Sequence, residues 1–253
     1  MKILFIGDIF GKMGRKAIED YLPEIRKEHG INLVIANGEN VAHGKGITKK
    51  TYKWLLEQGI SVITMGNHTW DNKDIFTFID DADKLLVPTN YQNTPGRGYV
   101  TFKYNDKTVT VISLIGRIFM QDANCPFITA DKILSEIDSD VIIVDFHAEA
   151  TSEKMALAHY LDGRVTAVLG THTHVPTADA RILEKGTLFQ SDVGMTGPLD
   201  GIIGVEREGI INKFISGIPV RFNPMETGKT QFNGIIFEIR QNSTKFDTIN
   251  IVK

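Results

Sequence analysis

Two histidines, His172 and His174, stand one residue apart just beyond the run VTAV at 165–168. In an extended backbone, residues i and i+2 share one face, so both imidazoles are expected to aim at one point. Imidazole is the commonest metal ligand among side chains, and two that converge can grip a divalent cation. A pair of solvated loop histidines reads the same in isolation, so the rest of the chain must decide. Four other runs that read as strands end on similar residues: Asp8 after KILFIG, Glu39 and Asn40 after INLVIANG, Asn67 and His68 after SVITMG, and His147 in DVIIVDFHA. In open α/β sheets the carboxyl ends of the strands line the crevice where ligands bind, which brings distant residues together. One such residue is as often a turn former or helix cap. The whole set points to a ligand site.

Oxygen and nitrogen donors without thiolate suit manganese, iron or zinc, and this many exceed what one tetrahedral ion takes. Two divalent or trivalent ions are therefore expected, iron or manganese first and zinc as the alternative. A carboxylate can bridge cations about 3.5–4 Å apart, an arrangement that clamps the attacking and leaving oxygens of an in-line displacement at phosphorus. The reaction that fits is phosphoester hydrolysis, with a metal-bridging hydroxide as nucleophile and no protein base required. Other phosphate-handling patterns fail on spacing. The glycines of GDIFGKMG lie at 7, 11 and 14, so G-x-G-x-x-G is absent; a Walker loop is one residue short and has Met13 where Ser or Thr should stand. A free Asp8 carboxylate would also repel phosphate unless a cation stood between them. The HxHxDH pattern of metallo-β-lactamase-type hydrolases breaks at Pro176 and Thr177.

The elements that must position these residues read as strand alternating with helix: a helix over about Lys12 to Glu28, then TKKTYKWLLEQG closed by Gly59, DNKDIFTFIDD, ADKILSEID and TSEKMALAHYLDG. That alternation means an α/β fold with parallel strands. GYVTFKYNDKTVTVISLIG reads as a hairpin about Asn105-Asp106. The C-terminal third reads as mostly antiparallel strands: DARILEKGTLFQ, PVRFNP, NGIIFEIRQ and KFDTINIVK. The expectation is one domain over 1–253, with two sheets packed face to face.

A chain of 253 residues with 42% apolar residues can bury a large core. The net charge of −3 argues against coating a nucleic-acid backbone, which needs many Lys and Arg, and leaves small nucleotides or oligonucleotides as partners. Cys125 is the single cysteine, so no internal disulfide and no thiolate cluster can form. The run at 3–6 is too short for a secretory or membrane segment, and a cytoplasmic protein without membrane association is expected. A homo-oligomer is compatible with this sequence.

The ordered set GD at 7–8, GEN at 38–40, GNH at 66–68, His147 and GTHTH at 170–174 resembles the calcineurin-like metallophosphoesterases. NGENVAHGKGIT, ITMGNHTWD, DFHAEATSEK, THTHVPTAD and DVGMTGP resemble its bacterial YmdB-like branch, over nearly the whole chain. The resemblance implies a two-sheet sandwich flanked by helices, a four-layer α/β/β/α fold, and hydrolysis of phosphodiesters including 2′,3′-cyclic nucleotides. It also implies one ion held by Asp8, Glu39, Asn40 and His174, and another by Glu39, Asn67, His147 and His172. Glu39 would bridge, and His68 would act as the acid at the leaving oxygen. The chain departs from the broad pattern at Phe10, where that pattern has histidine, at Glu39 in place of the common bridging Asp, and at Thr69 after GNH. His43 in a Gly-flanked loop, the planar fork of Arg117, and Asp192 in DVGMTGP are candidate substrate contacts. The competing reading is a metal-dependent regulatory or nucleotide-binding module with little turnover. His29 and His159 lie within helical patterns and read as structural.

Overall fold

The computed structural model describes residues 1–240 and 244–253. Its first sheet joins β1 (Lys2–Ile6), β2 (Asp8–Ile9), β3 (Leu33–Asn37), β4 (Val62–Thr64), β5 (Leu85–Leu86), β12 (Met195–Pro198), β13 (Thr230–Ile239) and β14 (Thr244–Val252). The second joins β6 (Tyr99–Tyr104), β7 (Lys107–Ile115), β8 (Val141–His147), β9 (Ala167–Thr171), β10 (Arg181–Ile182) and β11 (Leu188–Gln190). β1, β3, β4 and β5 run parallel in one sheet, and β7, β8, β9 and β11 in the other. The α/β expectation holds, and so does the face-to-face sandwich. Ile3, Phe5, Leu33 and Ile35 of one sheet bury against Val111, Val141, Ile143 and Leu169 of the other. Helices cover both outer faces: α1 (Gly11–His29) and α2 (Lys49–Glu57) on the first sheet, α3 (Pro126–Glu136) and α4 (Thr151–Leu161) on the second.

Strand period explains how this core becomes a site. Side chains alternate between faces, so positions two apart share the space between the sheets. Along β8 those positions are Val141, Ile143, Asp145 and His147; along β9, Ala167, Leu169 and Thr171; along β3, Leu33, Ile35 and Asn37. Each inward row begins apolar and turns polar toward the carboxyl end. Asn37 Nδ2 donates to Asp145 Oδ2 at 3.1 Å across the sheets, and the Thr64 hydroxyl donates to the same oxygen. A buried polar layer, satisfied by its own hydrogen bonds, thus separates the dry core from the strand exits.

Several local expectations are corrected. DNKDIFTFIDD forms two 3₁₀ turns, Lys73–Thr77 and Ile79–Asp81, instead of one helix: Asn72 caps the first by accepting from Asp74 N at 3.1 Å, and Asp74 is drawn to the start of α2, accepting from Lys49 N at 2.7 Å. The helix read from Ala130 begins at Pro126, whose ring suits a first helical turn. The C-terminal third contains α5 (Arg207–Ser216), unread as a helix, and the short β12. PVRFNP makes no strand, since Pro219 and Pro224 lack ladder donors. β11 pairs parallel with β9, so DARILEKGTLFQ is only partly antiparallel. β13 and β14 pair antiparallel as expected, and Gln241, at the end of NGIIFEIRQ, lies outside the described residues. Gly59 at φ +86° does follow α2, and Asn105 at φ +55° turns the β6–β7 hairpin.

The largest correction concerns the two histidines. β9 stops at Thr171, and His172 and His174 adopt φ of +111° and +67°. Strand alternation therefore does not govern them. Non-glycine residues in this region cost about 1–3 kcal/mol each and persist only where surroundings dictate them. Here Asp8 Oδ2 accepts from His172 N at 3.1 Å, and Asp192 Oδ2 accepts from Thr173 N at 2.9 Å. Asp192 is itself 1% exposed and ion-paired with the equally buried Lys154, Nζ to Oδ2 2.8 Å. Asp192→Ala would strand the Lys154 charge and free Thr173 N. Losing one partner of a buried pair costs about 3–5 kcal/mol, so urea unfolding should show a loss of that size. A loss under about 1 kcal/mol, the scale of a surface pair, would contradict this anchoring role.

Candidate metal centre

The strand exits bring the expected donors into two adjoining groups. In the first, His147 Nε2 lies 2.8 Å from Asn67 Oδ1, 3.0 Å from His172 Nδ1 and 3.3 Å from Glu39 Oε1. One ligand atom each from Glu39, His147 and His172 lies within 4.8 Å of the others. In the second, His174 Nε2 faces Asn40 Nδ2 at 3.2 Å and Asp8 Oδ1 at 3.9 Å. Asp8 Oδ1 and Asn40 Oδ1 are both buried without a hydrogen-bond partner. Glu39 joins the groups, accepting from Asn40 Nδ2 at 3.1 Å and, on its other oxygen, from His68 N at 2.9 Å.

The outer nitrogens fix the ring tautomers, because a histidine that donates outward presents a lone pair inward. His147 Nδ1 lies 2.8 Å from Thr171 Oγ1, whose proton goes to Asp145 Oδ1 at 2.8 Å, so the imidazole must donate. His172 Nε2 meets Glu149 Oε2 at 3.0 Å, and His174 Nδ1 meets the Ile203 carbonyl at 2.8 Å. The inner nitrogens then face one cluster: His147 Nε2 meets the Asn67 and Glu39 oxygens and His172 Nδ1, while His174 Nε2 accepts from Asn40 Nδ2 with Asp8 Oδ1 beyond it at 3.9 Å. Such an arrangement fits metal cations: oxygen and nitrogen donors, deprotonated or neutral, with their outer atoms held. The two orphaned oxygens are the further sign of fit, since buried polar atoms are seldom left unpaired.

Charge says the same. Burial raises the Asp8 carboxyl, against the pull of His174 and His147. Burial also pushes Asp145 up to about 6. For Glu39 burial acts upward too, but His147 and the His68 N–H outweigh it and hold the group at about 2. His147 is pulled down by burial and raised further by Glu39, Asp8 and Asp145, to about 9, while burial and then His147 lower His172 to about 3. The cluster thus calls for positive charge. A proton on His147 Nε2 can satisfy one of the three acceptors around it; a cation can meet them all.

His68 stands at the edge of this group, with Nδ1 2.8 Å from Asp71 Oδ2, which leaves Nε2 as the ring's other polar atom. Glu39, His68, Glu149, His172, His174 and Ile203 line a cleft of about 290 Å³. A larger cavity of about 900 Å³ adjoins it and includes His43, which holds φ +56° in its loop. Arg117 and Asp192 line neither space. Arg117 instead places its backbone N–H on Glu153 at 3.0 Å, and Asp192 serves the anchor described above. Sequence reasoning missed Asp71, Asp145, Glu149 and Thr171. Asp145 and Thr171 were accessible through strand period, one lying two residues before His147 and the other closing β9; Glu149 and the Ile203 carbonyl carry no sequence signal. Among the described residues, no helix is long and apolar enough to cross a membrane.

The chain is similar to known proteins over nearly its whole length. A 2′,3′-cyclic-nucleotide 2′-phosphodiesterase of Bacillus subtilis is 50% identical over 248 residues, which cover 97% of this chain and 94% of the relative. A solved structure from Thermus thermophilus, described as a hypothetical protein, superposes with a TM-score of 0.95 at 42% identity and full coverage of both chains. Another, described as a novel phosphatase from Mycoplasma pneumoniae, gives 0.95 at 37% identity, covering 100% of this chain and 93% of that one. The family model for YmdB-like proteins matches residues 4–252, and the chain belongs to that family.

Proposed function

We propose that this chain is a metal-dependent phosphodiesterase whose substrates are 2′,3′-cyclic nucleotides or related small phosphodiesters. The observation that carries the reading is the convergence of His147, His172 and His174 lone pairs with orphaned Asp8 and Asn40 oxygens around a shared Glu39. Asp8, Glu39, Asn40 and His174 would hold one ion; Glu39, Asn67, His147 and His172 would hold the other. The first set is oxygen-rich and the second has two imidazoles, donors that suit manganese and iron. When bound, such ions neutralise charge on the phosphate and lower the pKa of water from 15.7 toward about 7.

The chain's own groups do the rest. Glu39 fixes the His68 backbone through its second oxygen, Asp71 holds the ring at Nδ1, and His68 lines the cleft with Nε2 as its remaining polar ring atom. A cyclic diester opens by losing a ribose alkoxide, a poor leaving group. His68 delivers the proton it needs. The fixed His68–Asp71 pair at the cleft favours turnover over a purely regulatory module, which has no use for an acid there.

General acid catalysis is worth about 100- to 10,000-fold. His68→Ala should therefore lower kcat on a 2′,3′-cyclic nucleotide by about that range while metal content stays at the wild-type level. A wild-type rate in this variant would remove His68 from the reaction. Chelation should abolish turnover, and readdition of Mn(II) or Fe(II) should restore it; turnover that persists in the fully chelated protein would overturn the metal-dependent reading.

A further inference from the structure

The cavity of about 900 Å³ beside the donor cluster shares His68, His174 and Ile203 with the smaller cleft. Its floor is Phe10, 5% exposed, whose ring meets His174 edge-on with centroids 5.6 Å apart. Gly44 and Gly204 close on that ring: a Cβ at either position would come within 2.8 Å of it. The phenyl group is thus locked as an apolar surface next to a donor histidine. The far wall comes from residues 203–224, where Ile203, Val205 and Phe222 face the space. Phe222 is 42% exposed, and Lys213 Nζ lies 4.7 Å from its ring centroid. Asn72 and Asn223 add amide groups, and Lys45 and Arg221 add positive charge.

The two spaces differ in chemistry. The small cleft is lined mainly by carboxylate and imidazole and has room for a phosphate group. The large one is within the roughly 300–1,000 Å³ of ordinary small-molecule sites, and it mixes aromatic and aliphatic walls with amides at the edge. A flat ring with apolar faces and hydrogen-bonding edges, joined through a sugar to the phosphate, matches that combination. We propose that this cavity takes the nucleoside part of the substrate, with Phe10 as its floor and Phe222 as the surface on which the base stacks. The proposal rests on the reading of the donor cluster as a phosphodiesterase centre. It adds that residues 203–224 set the preference for nucleotides over small phosphodiesters.

Two variants test it: Phe222→Ala, which removes the stacking face, and Val205→Trp, which fills the cavity. Each is assayed on 2′,3′-cyclic adenosine monophosphate and on ethylene phosphate, a five-membered cyclic diester without sugar or base. Both variants should raise KM for the nucleotide on the order of 10- to 100-fold, the range of a lost aromatic stack, with little change in kcat. The preference for nucleotide over ethylene phosphate should fall by the same factor. Equal changes on both substrates, or none on either, would overturn the proposal. Binding of adenosine 3′-monophosphate, followed by calorimetry, decides the matter independently of turnover. Weaker binding to both variants supports the cavity, and unchanged binding refutes it. Absence of turnover by the wild type on both substrates would fault the proposed reaction, leaving the calorimetric comparison to judge the cavity.

Discussion

Lone pairs that face one another in a buried space repel unless positive charge stands among them, and the strand exits of this chain meet that condition around His147. His147, His172 and His174 each have their outer nitrogen against a protein acceptor, and His147 Nε2 stands among Asn67 Oδ1, His172 Nδ1 and Glu39 Oε1, which one proton there cannot satisfy together. Around them lie Asp8, Glu39, Asn40 and Asn67. A fold that held these groups without a partner for their charge would be destabilised by each. A bound cation would turn the same repulsion into attraction, and the energy released would help to hold left-handed turns such as those at His172 and His174.

The rest of the structure prepares that convergence. Parallel strands in both sheets bring their carboxyl ends to one edge, and the inward rows of β3, β8 and β9 pass from apolar residues through Asn37, Asp145 and Thr171 before the donors. The polar layer has two effects. It satisfies its own groups across the sheets, and it orients His147 through Thr171. The Lys154–Asp192 pair performs a similar service for the turn that carries the other two imidazoles. Outer contacts of this kind set ring orientation and tautomer, which the ligands alone cannot do.

Much of this was legible in the amino-acid sequence because it depends on strand period and exit position. Asp8, Glu39, Asn40, Asn67, His147, His172 and His174 each follow an apolar run, and the α/β alternation brings those runs to one edge. The route to the paired histidines was less legible. A shared strand face predicts one common target, whereas positive φ at both residues sends His172 toward His147 and His174 toward Asn40. No residue type at these positions announces that turn, which Asp8 and Asp192 impose from elsewhere in the chain. Asp192 illustrates the converse: a carboxylate near a site reads as a contact until an opposing Lys154, distant in sequence, is seen to occupy it. α5 was hidden because its segment lies between prolines and lacks a strong apolar stripe, and the cavity wall it supports was hidden with it.

Phe10 and Asn40 together give this centre its particular character. The phenyl ring stands where the pattern that the sequence resembles has a histidine and packs edge-on against His174, and the Oδ1 atoms of Asp8 and Asn40 are buried without a hydrogen-bond partner. Anomalous diffraction from crystals grown with Mn(II), recorded at the manganese edge, tests the central claim most directly. The account predicts two peaks about 3.5–4 Å apart, one among Glu39, Asn67, His147 and His172 and the other among Asp8, Glu39, Asn40 and His174. A fully occupied map with a single peak there, or with ions bound only elsewhere on the protein, would contradict it.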